Sequence, residues 1–185
     1  MLQSIANLII RLTGWRIVGE VPQIPQAVFI AAPHTSNWDG FWLLVCKTAL
    51  DIDVRFLAKH SLFWWPLGPV LSAMGAIPID RGKHLSTVAQ LVDTFGHEEK
   101  MFLALAPEGT RKWQPHWKTG FYRIAKEADV PIVLTFIDYR NREMGIGSTI
   151  HPHERDHDMV LIREFYRPFT PRHPQLQGPI EFPPD

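Results

Sequence analysis

Three short apolar runs in this chain each end on polar residues, and that recurring pattern constrains the fold more than any other feature. Ala27 to Ala32 leads into Pro33-His34-Thr35-Ser36-Asn37-Trp38-Asp39, and Met101 to Ala106 into Pro107-Glu108-Gly109-Thr110-Arg111. Ala76 to Ile79 delivers Asp80 and Arg81. Such runs read as buried strands, and in an open α/β sheet the polar residues just past the strand ends line the ligand crevice. Three segments are therefore expected to bring a base, a carboxylate and two cations to one place.

Helical patterns fall between the strands. Trp38 to Leu50 reads as the helix after the first strand, and Arg55 to Ala58 as a short strand ending at Lys59 and His60. Val88, Leu91, Val92 and Phe95 sit at i, i+3, i+4 and i+7, marking a helix that stops near Gly96. Phe121 to Ala128 is a further helix. Pro131 to Tyr139 is β-rich, and Met144 to Ile150 returns as a hairpin around Asn141 and Arg142. Met159 to Phe165 is the last helix, and the proline-rich tail over 168–185 is irregular. Strands alternating with helices predict an α/β fold over residues 1–185: a single layered domain with a mixed, mostly parallel sheet flanked by helices. No repeat, low-complexity tract or domain boundary interrupts it.

Two segments raise the question of a membrane. Within residues 1–20, Leu2, Ile5, Leu8, Ile9 and Leu12 recur at helical spacing opposite Gln3, Ser4, Asn7 and Arg11. The face of this amphipathic helix can dock on the domain or lie on a membrane surface, and both readings stand. Leu8 to Ile10 is too short for the apolar region of a secretory signal. Ser61 to Ile79 carries no charge and is long enough to span a bilayer, but Pro66, Gly68, Pro69, Gly75 and Pro78 break it. It reads as a turn-rich buried or interfacial segment. The seven tryptophans suit either a core or a surface wet on one side and apolar on the other.

Lysine plus arginine and aspartate plus glutamate balance at 19 each, so the charge does not support a nucleic-acid partner. The single cysteine, Cys46, follows the apolar run Phe41 to Val45, reads as core packing and fits a reducing compartment.

The chemistry concentrates on His34 and Asp39. Five positions do not share one face of a regular helix. The two converge if His34 precedes the helix and Asp39 lies in its first turn. A carboxylate there would hold the histidine in the tautomer that accepts a proton from a hydroxyl. No serine or cysteine nucleophile sits at useful spacing, so the attacking hydroxyl belongs to the substrate. Thr35 and Ser36 are alternatives, though not on a Gly-x-Ser-x-Gly elbow. Glu108, Gly109 and Thr110 form a turn, readable as a helix cap. With Arg111 beside it and Arg81 at another strand end, an anion site is the alternative. His151-Pro152-His153-Glu154-Arg155-Asp156-His157 approaches a metal signature but is one residue too long, and it reads as a solvated loop with no metal.

In order, these segments resemble the lysophosphatidic acid acyltransferase family of glycerolipid acyltransferases. His34 to Asp39 is similar to its His-x4-Asp block, Gly75 to Arg81 to the second, Pro107 to Arg111 to the third, and Val130-Pro131-Ile132-Val133 to the fourth. Pro33, Ala106 and Leu134 depart from the residues common at those places. The resemblance implies an enzyme that moves a fatty acyl group from an acyl-CoA or acyl carrier protein thioester to a lyso-lipid acceptor, with no other cofactor. It implies His34 as general base, Asp39 as its partner, and Arg81 with Glu108, Gly109, Thr110 and Arg111 as the acceptor-phosphate site, joined by Lys59. It also implies peripheral or monotopic attachment to the cytoplasmic face of a membrane. Other classes consistent with the residues are a thioesterase or lipase-like hydrolase, in which His34 activates water, and a silent lipid-binding module.

Overall fold

Strand and helix alternate as the apolar runs require, in a computed structural model that describes residues 1–79 and 87–184. The order is α1 (Leu2–Thr13), β1 (Arg16–Val18), β2 (Gln26–Ala32), α2 (Asn37–Ala49), β3 (Val54–Lys59), α3 (Leu67–Ala73) and β4 (Ala76–Ile79). It continues through α4 (Thr87–His97), β5 (Met101–Leu105), α5 (Gly120–Glu127), β6 (Ile132–Asp138), β7 (Glu143–Ile150) and α6 (Arg155–Tyr166). Among the described residues the sheet has seven strands in the order β1-β7-β6-β2-β5-β3-β4. β2 through β6 run parallel, and β7 lies antiparallel to β6 as the expected hairpin.

β2 occupies the middle of this sheet and is buried on both faces, which is why it reads as an unbroken apolar run. Val28, Ile30 and Ala32 pack with Leu91, Phe95, Phe121, Ile124 and Ile162, from α4, α5 and α6. Ala27 and Phe29 face the opposite layer, with Val54, Ala104, Val133 and Ile146. α1 and α2 bury Ala6, Ile10, Trp42, Val45 and Ala49 together with Trp15, Ile137 and Met144. Gly14 ends α1 in the left-handed conformation at φ 71°, and the Trp15 N–H donates to the Ile10 carbonyl at 3.1 Å. A glycine adopts that turn without a side-chain penalty, and here it swings Trp15 under the helix.

Several expectations need correction. Ser61 to Ile79 holds a helix, α3, because Gly68 and Pro69 fall in its first turn, where a missing N–H costs no helical bond. β1, only three residues long, pairs with β7 and carried no periodic signal. The histidine-rich run is a loop only to Glu154; from Arg155 it is helical, with Asp158 buried and accepting from the Tyr122 hydroxyl at 2.7 Å. Asp80 and Arg81 lie outside the described residues. No helix among the described residues is long and apolar enough to cross a membrane. Trp15, Trp42 and Trp117 belong to the core, whereas Trp38, Trp64, Trp65 and Trp113 are exposed, so core packing accounts for three of the seven tryptophans.

Candidate active site

The site begins where β2 leaves the sheet. A cis peptide joins Ala32 to Pro33, and His34 follows at the carboxyl end of the central strand. Ser36 caps α2: its hydroxyl accepts from the Trp38 N–H at 3.2 Å. Asp39, the third residue of the helix, reaches back to complete a capping box, and its Oδ2 accepts the Thr35 and Ser36 N–H groups at 2.8 Å each. That reach turns the carboxylate toward the segment before the helix. His34 Nδ1 lies 3.2 Å from the same Oδ2. The convergence expected from the sequence is thus produced by the helix cap.

Asp39 is buried, and burial alone would resist its ionisation. Hydrogen bonds from His34, Tyr139 and the Ser36 backbone outweigh that cost and hold the carboxyl below its ordinary range. With Nδ1 committed to Asp39, Nε2 is the nitrogen left for a substrate proton.

Beside the dyad, a cavity of about 460 Å³ runs between α2 and the sheet. His34, Asp39, Lys59, Gly109, Thr110 and Arg111 line it together. Phe29, Leu43, Leu50, Phe56 and Ile146 make the rest of its wall largely apolar. Gly40, Leu43 and Lys47 on α2 and Leu50 at its C-cap line one side of it, a span of about 15 Å at 1.5 Å per residue.

A sequence profile of the family described as Acyltransferase matches residues 16–137. The chain belongs to the acyltransferase family. That span contains all four blocks on which the resemblance rested. No curated protein sequence matches significantly. Among solved structures, the 1-acyl-sn-glycerophosphate (LPA) acyltransferase PlsC from Thermotoga maritima shares the fold, with a TM-score of 0.63 at 14% identity. The superposition covers 89% of this chain and 74% of PlsC.

In this acyltransferase the expected site residues separate into two groups. His34, Asp39, Lys59, Gly109, Thr110 and Arg111 share the cavity. Glu108 does not line it. Its carboxyl lies behind His34, where Oε1 accepts the His34 backbone N–H at 2.9 Å, so it braces the loop and does not face a phosphate. Burial pushes the Glu108 carboxyl up, against hydrogen bonds from the backbone N–H groups of His34 and of Glu108 itself. The turn that carries it is closed by the Gly109 N–H donating to the Ala106 carbonyl at 3.0 Å, with Gly109 at φ 65°.

Three residues in or beside this candidate site escaped the sequence reading. Tyr139 donates its hydroxyl to Asp39 Oδ1 at 2.6 Å. It follows β6 directly, so the strand-end rule that singled out His34 and Glu108 applies to it equally. Lys118 packs against Gly109, where a Cβ would come within 2.7 Å of its side chain. Lys47, on the cavity wall, donates to the carbonyls of Val54 and Met74 at 2.8 and 2.9 Å, and burial lowers its pKa. Cys46 also lines the cavity, and burial pushes its thiol up to about 12, which removes it as a nucleophile at neutral pH.

Proposed function

We propose that this acyltransferase moves a fatty acyl group from an acyl-CoA or acyl carrier protein thioester to the free hydroxyl of a lysophospholipid, with 1-acylglycerol-3-phosphate as the acceptor. The observation that carries the reading is the His34 Nδ1–Asp39 Oδ2 pair at 3.2 Å on the wall of a mostly apolar cavity. His34 Nε2 takes the proton of the acceptor hydroxyl as its oxygen attacks the thioester carbonyl. The tetrahedral adduct collapses, the carbon–sulfur bond breaks, and the imidazolium returns the proton to the departing thiolate. An ester and a free thiol result. Asp39 stays ionised throughout and holds the ring, as its lowered pKa favours. The apolar wall formed by Phe29, Leu43, Leu50, Phe56 and Ile146 suits the fatty chain, and Lys59 and Arg111 suit the acceptor phosphate; Arg81 is assigned there by the block it belongs to.

The same reading places the enzyme on the cytoplasmic face of a membrane as a peripheral or monotopic protein. Leu2, Ile5, Leu8 and Leu12 on α1 are exposed, which supports shallow insertion.

Purified protein incubated with labelled acyl-CoA, or with acyl carrier protein thioester, and a panel of lyso-lipids would test this by mass spectrometry of the products. The expected product is diacylated glycerol phosphate with one thiol released per ester formed. Transfer confined to an amino- or glycolipid acceptor would replace the acceptor named here. Release of free fatty acid regardless of acceptor would make the protein a hydrolase.

A further inference from the structure

We infer that Tyr139 is a positioning residue for the base, acting through Asp39. Two oxygens of Asp39 carry different loads. Oδ2 accepts from the Thr35 and Ser36 N–H groups and faces His34 Nδ1, whereas Oδ1 takes the Tyr139 hydroxyl at 2.6 Å. Without that hydroxyl, Oδ1 has no hydrogen-bond donor among the described residues. The carboxylate is then free to pivot on its Cβ–Cγ bond, so the ring loses its fixed orientation, while the carboxylate charge, no longer shared with the hydroxyl, is available in full to the imidazolium.

Tyr139 is itself held on several sides. Trp15 meets its ring edge-on at 5.2 Å and 88°, and Trp15 packs on Trp42 of α2 at 4.4 Å. The Arg172 guanidinium lies over its face at 5.7 Å. Its backbone N–H donates to the Thr170 carbonyl at 2.9 Å, so the irregular tail clamps it from behind. A side chain fixed in this way loses little entropy on bonding to Asp39. Its hydroxyl acts as a rigid stop for the carboxylate. The charged and titratable groups around the pair are Glu108 behind His34, Arg172 over Tyr139, and Lys59 and Arg111 on the cavity wall.

The inference rests on His34 being the base, and the test separates the two. Activity would be measured with acyl-CoA and detergent-dispersed 1-acylglycerol-3-phosphate for Tyr139→Phe, Trp15→Phe and His34→Ala. A hydrogen bond to a charged group is lost in Tyr139→Phe, so kcat should fall on the order of tenfold, with the donor KM nearly unchanged. The acid limb of kcat/KM should move to higher pH, because Asp39 relieved of the hydroxyl holds the imidazolium more tightly. Trp15→Phe loosens the same packing but keeps the hydroxyl, and its limb should stay in place. Wild-type kcat and an unmoved limb in Tyr139→Phe would overturn the inference, as would an equal shift in Trp15→Phe. Should Tyr139→Phe fail to fold, 3-fluorotyrosine at position 139 supplies a stronger donor. It should move the limb to lower pH, and an unmoved limb would again overturn the inference. An active His34→Ala sinks the catalytic reading itself. An inactive His34→Ala beside an unaffected Tyr139→Phe sinks only the role of Tyr139.

Discussion

The carboxyl of Glu108 sits directly behind the backbone of His34, with Oε1 accepting its N–H at 2.9 Å and Oε2 buried with no partner among the described residues. The pair ties the end of β5 to the end of β2 and so fixes the loop that carries His34. Its cost is an acidic group in an apolar setting. Glu108 has its folded pKa raised, so the stability it contributes is complete below its ordinary value of 4.5 and is lost as pH rises through the folded pKa. Glu108→Gln keeps an acceptor for His34 and cannot ionise. Melting curves across pH should therefore show the variant gaining on the wild type as pH rises from 4 toward 8. A difference that stays constant with pH would show that the carboxyl does not change its charge over that range.

His34→Ala removes the proposed base while leaving the cap of α2 and the Glu108 brace in place. Loss of a general base costs on the order of 10²- to 10⁴-fold in rate. The variant should be nearly inactive with an unchanged melting temperature. Wild-type turnover in a folded His34→Ala protein would falsify the mechanism.

Asp39 does two things at once, and Asp39→Asn should report both. The neutral amide can still accept from the Thr35 and Ser36 N–H groups but no longer stabilises the imidazolium, so turnover should fall with only a modest loss of stability. Removing the charge from the first turn costs about 0.3–1 kcal/mol. Asp39 has its folded pKa depressed, so its contribution is present above its ordinary value of 3.8 and is lost as pH falls through the folded pKa. The stability gap between wild type and variant should accordingly close in acid. A gap that widens there would contradict the pairing seen in the structure.

How far the sequence revealed this arrangement depends on the range of each interaction. His34, the Ser36 cap and Asp39 lie within one turn and its approach, so local spacing sufficed. β2, β5 and β6 were legible because strands buried on both faces are apolar throughout. Glu108 was placed at the right strand end, but its bond to the His34 backbone was not legible, since that partner lies 74 residues away. Tyr139 stood at a strand end as well, but its bond to Asp39, 100 residues away, could not be read from local spacing. α3 was hidden by residue types that break a helix interior but are harmless in its first turn.

Arg111→Ala should weaken the acceptor on the order of tenfold, the scale of one charge-assisted contact to a phosphate. Lys59→Ala should have a similar or smaller effect, because its flexible stem fixes the ammonium less firmly. The apparent affinity for the acyl donor should change much less in both. Kinetics varying each substrate in turn distinguish the cases. Equal losses for donor and acceptor would reassign these cations to the donor's phosphates or to structure.

α1 offers the sharpest contrast between fold and membrane, because its two faces are now known. Ala6 and Ile10 pack on α2, and Gln3 on the same side donates to the Ala49 carbonyl at 3.1 Å. The stripe read from the sequence points largely outward: Leu2 and Leu12 are 73% and 77% exposed, Ile5 and Leu8 about half, and only Ile9 is partly covered. Docking on the domain therefore does not use up the apolar face. Arg11 is the basic group this helix offers to anionic headgroups, and Arg16, beyond it on β1, is paired with Glu143 at 2.8 Å. One such residue contributes about 1 kcal/mol, so attachment should be partial and weakly salt-sensitive. Leu8→Asp with Leu12→Asp should release the protein from anionic vesicles while preserving its melting temperature and its activity on detergent-dispersed acceptor. Ala6→Asp places an unpaired charge in the α1–α2 contact and should do the reverse, lowering the melting temperature first. Flotation that survives the double substitution would remove α1 from the membrane contact and leave exposed Trp64 and Trp65 as the next groups to test.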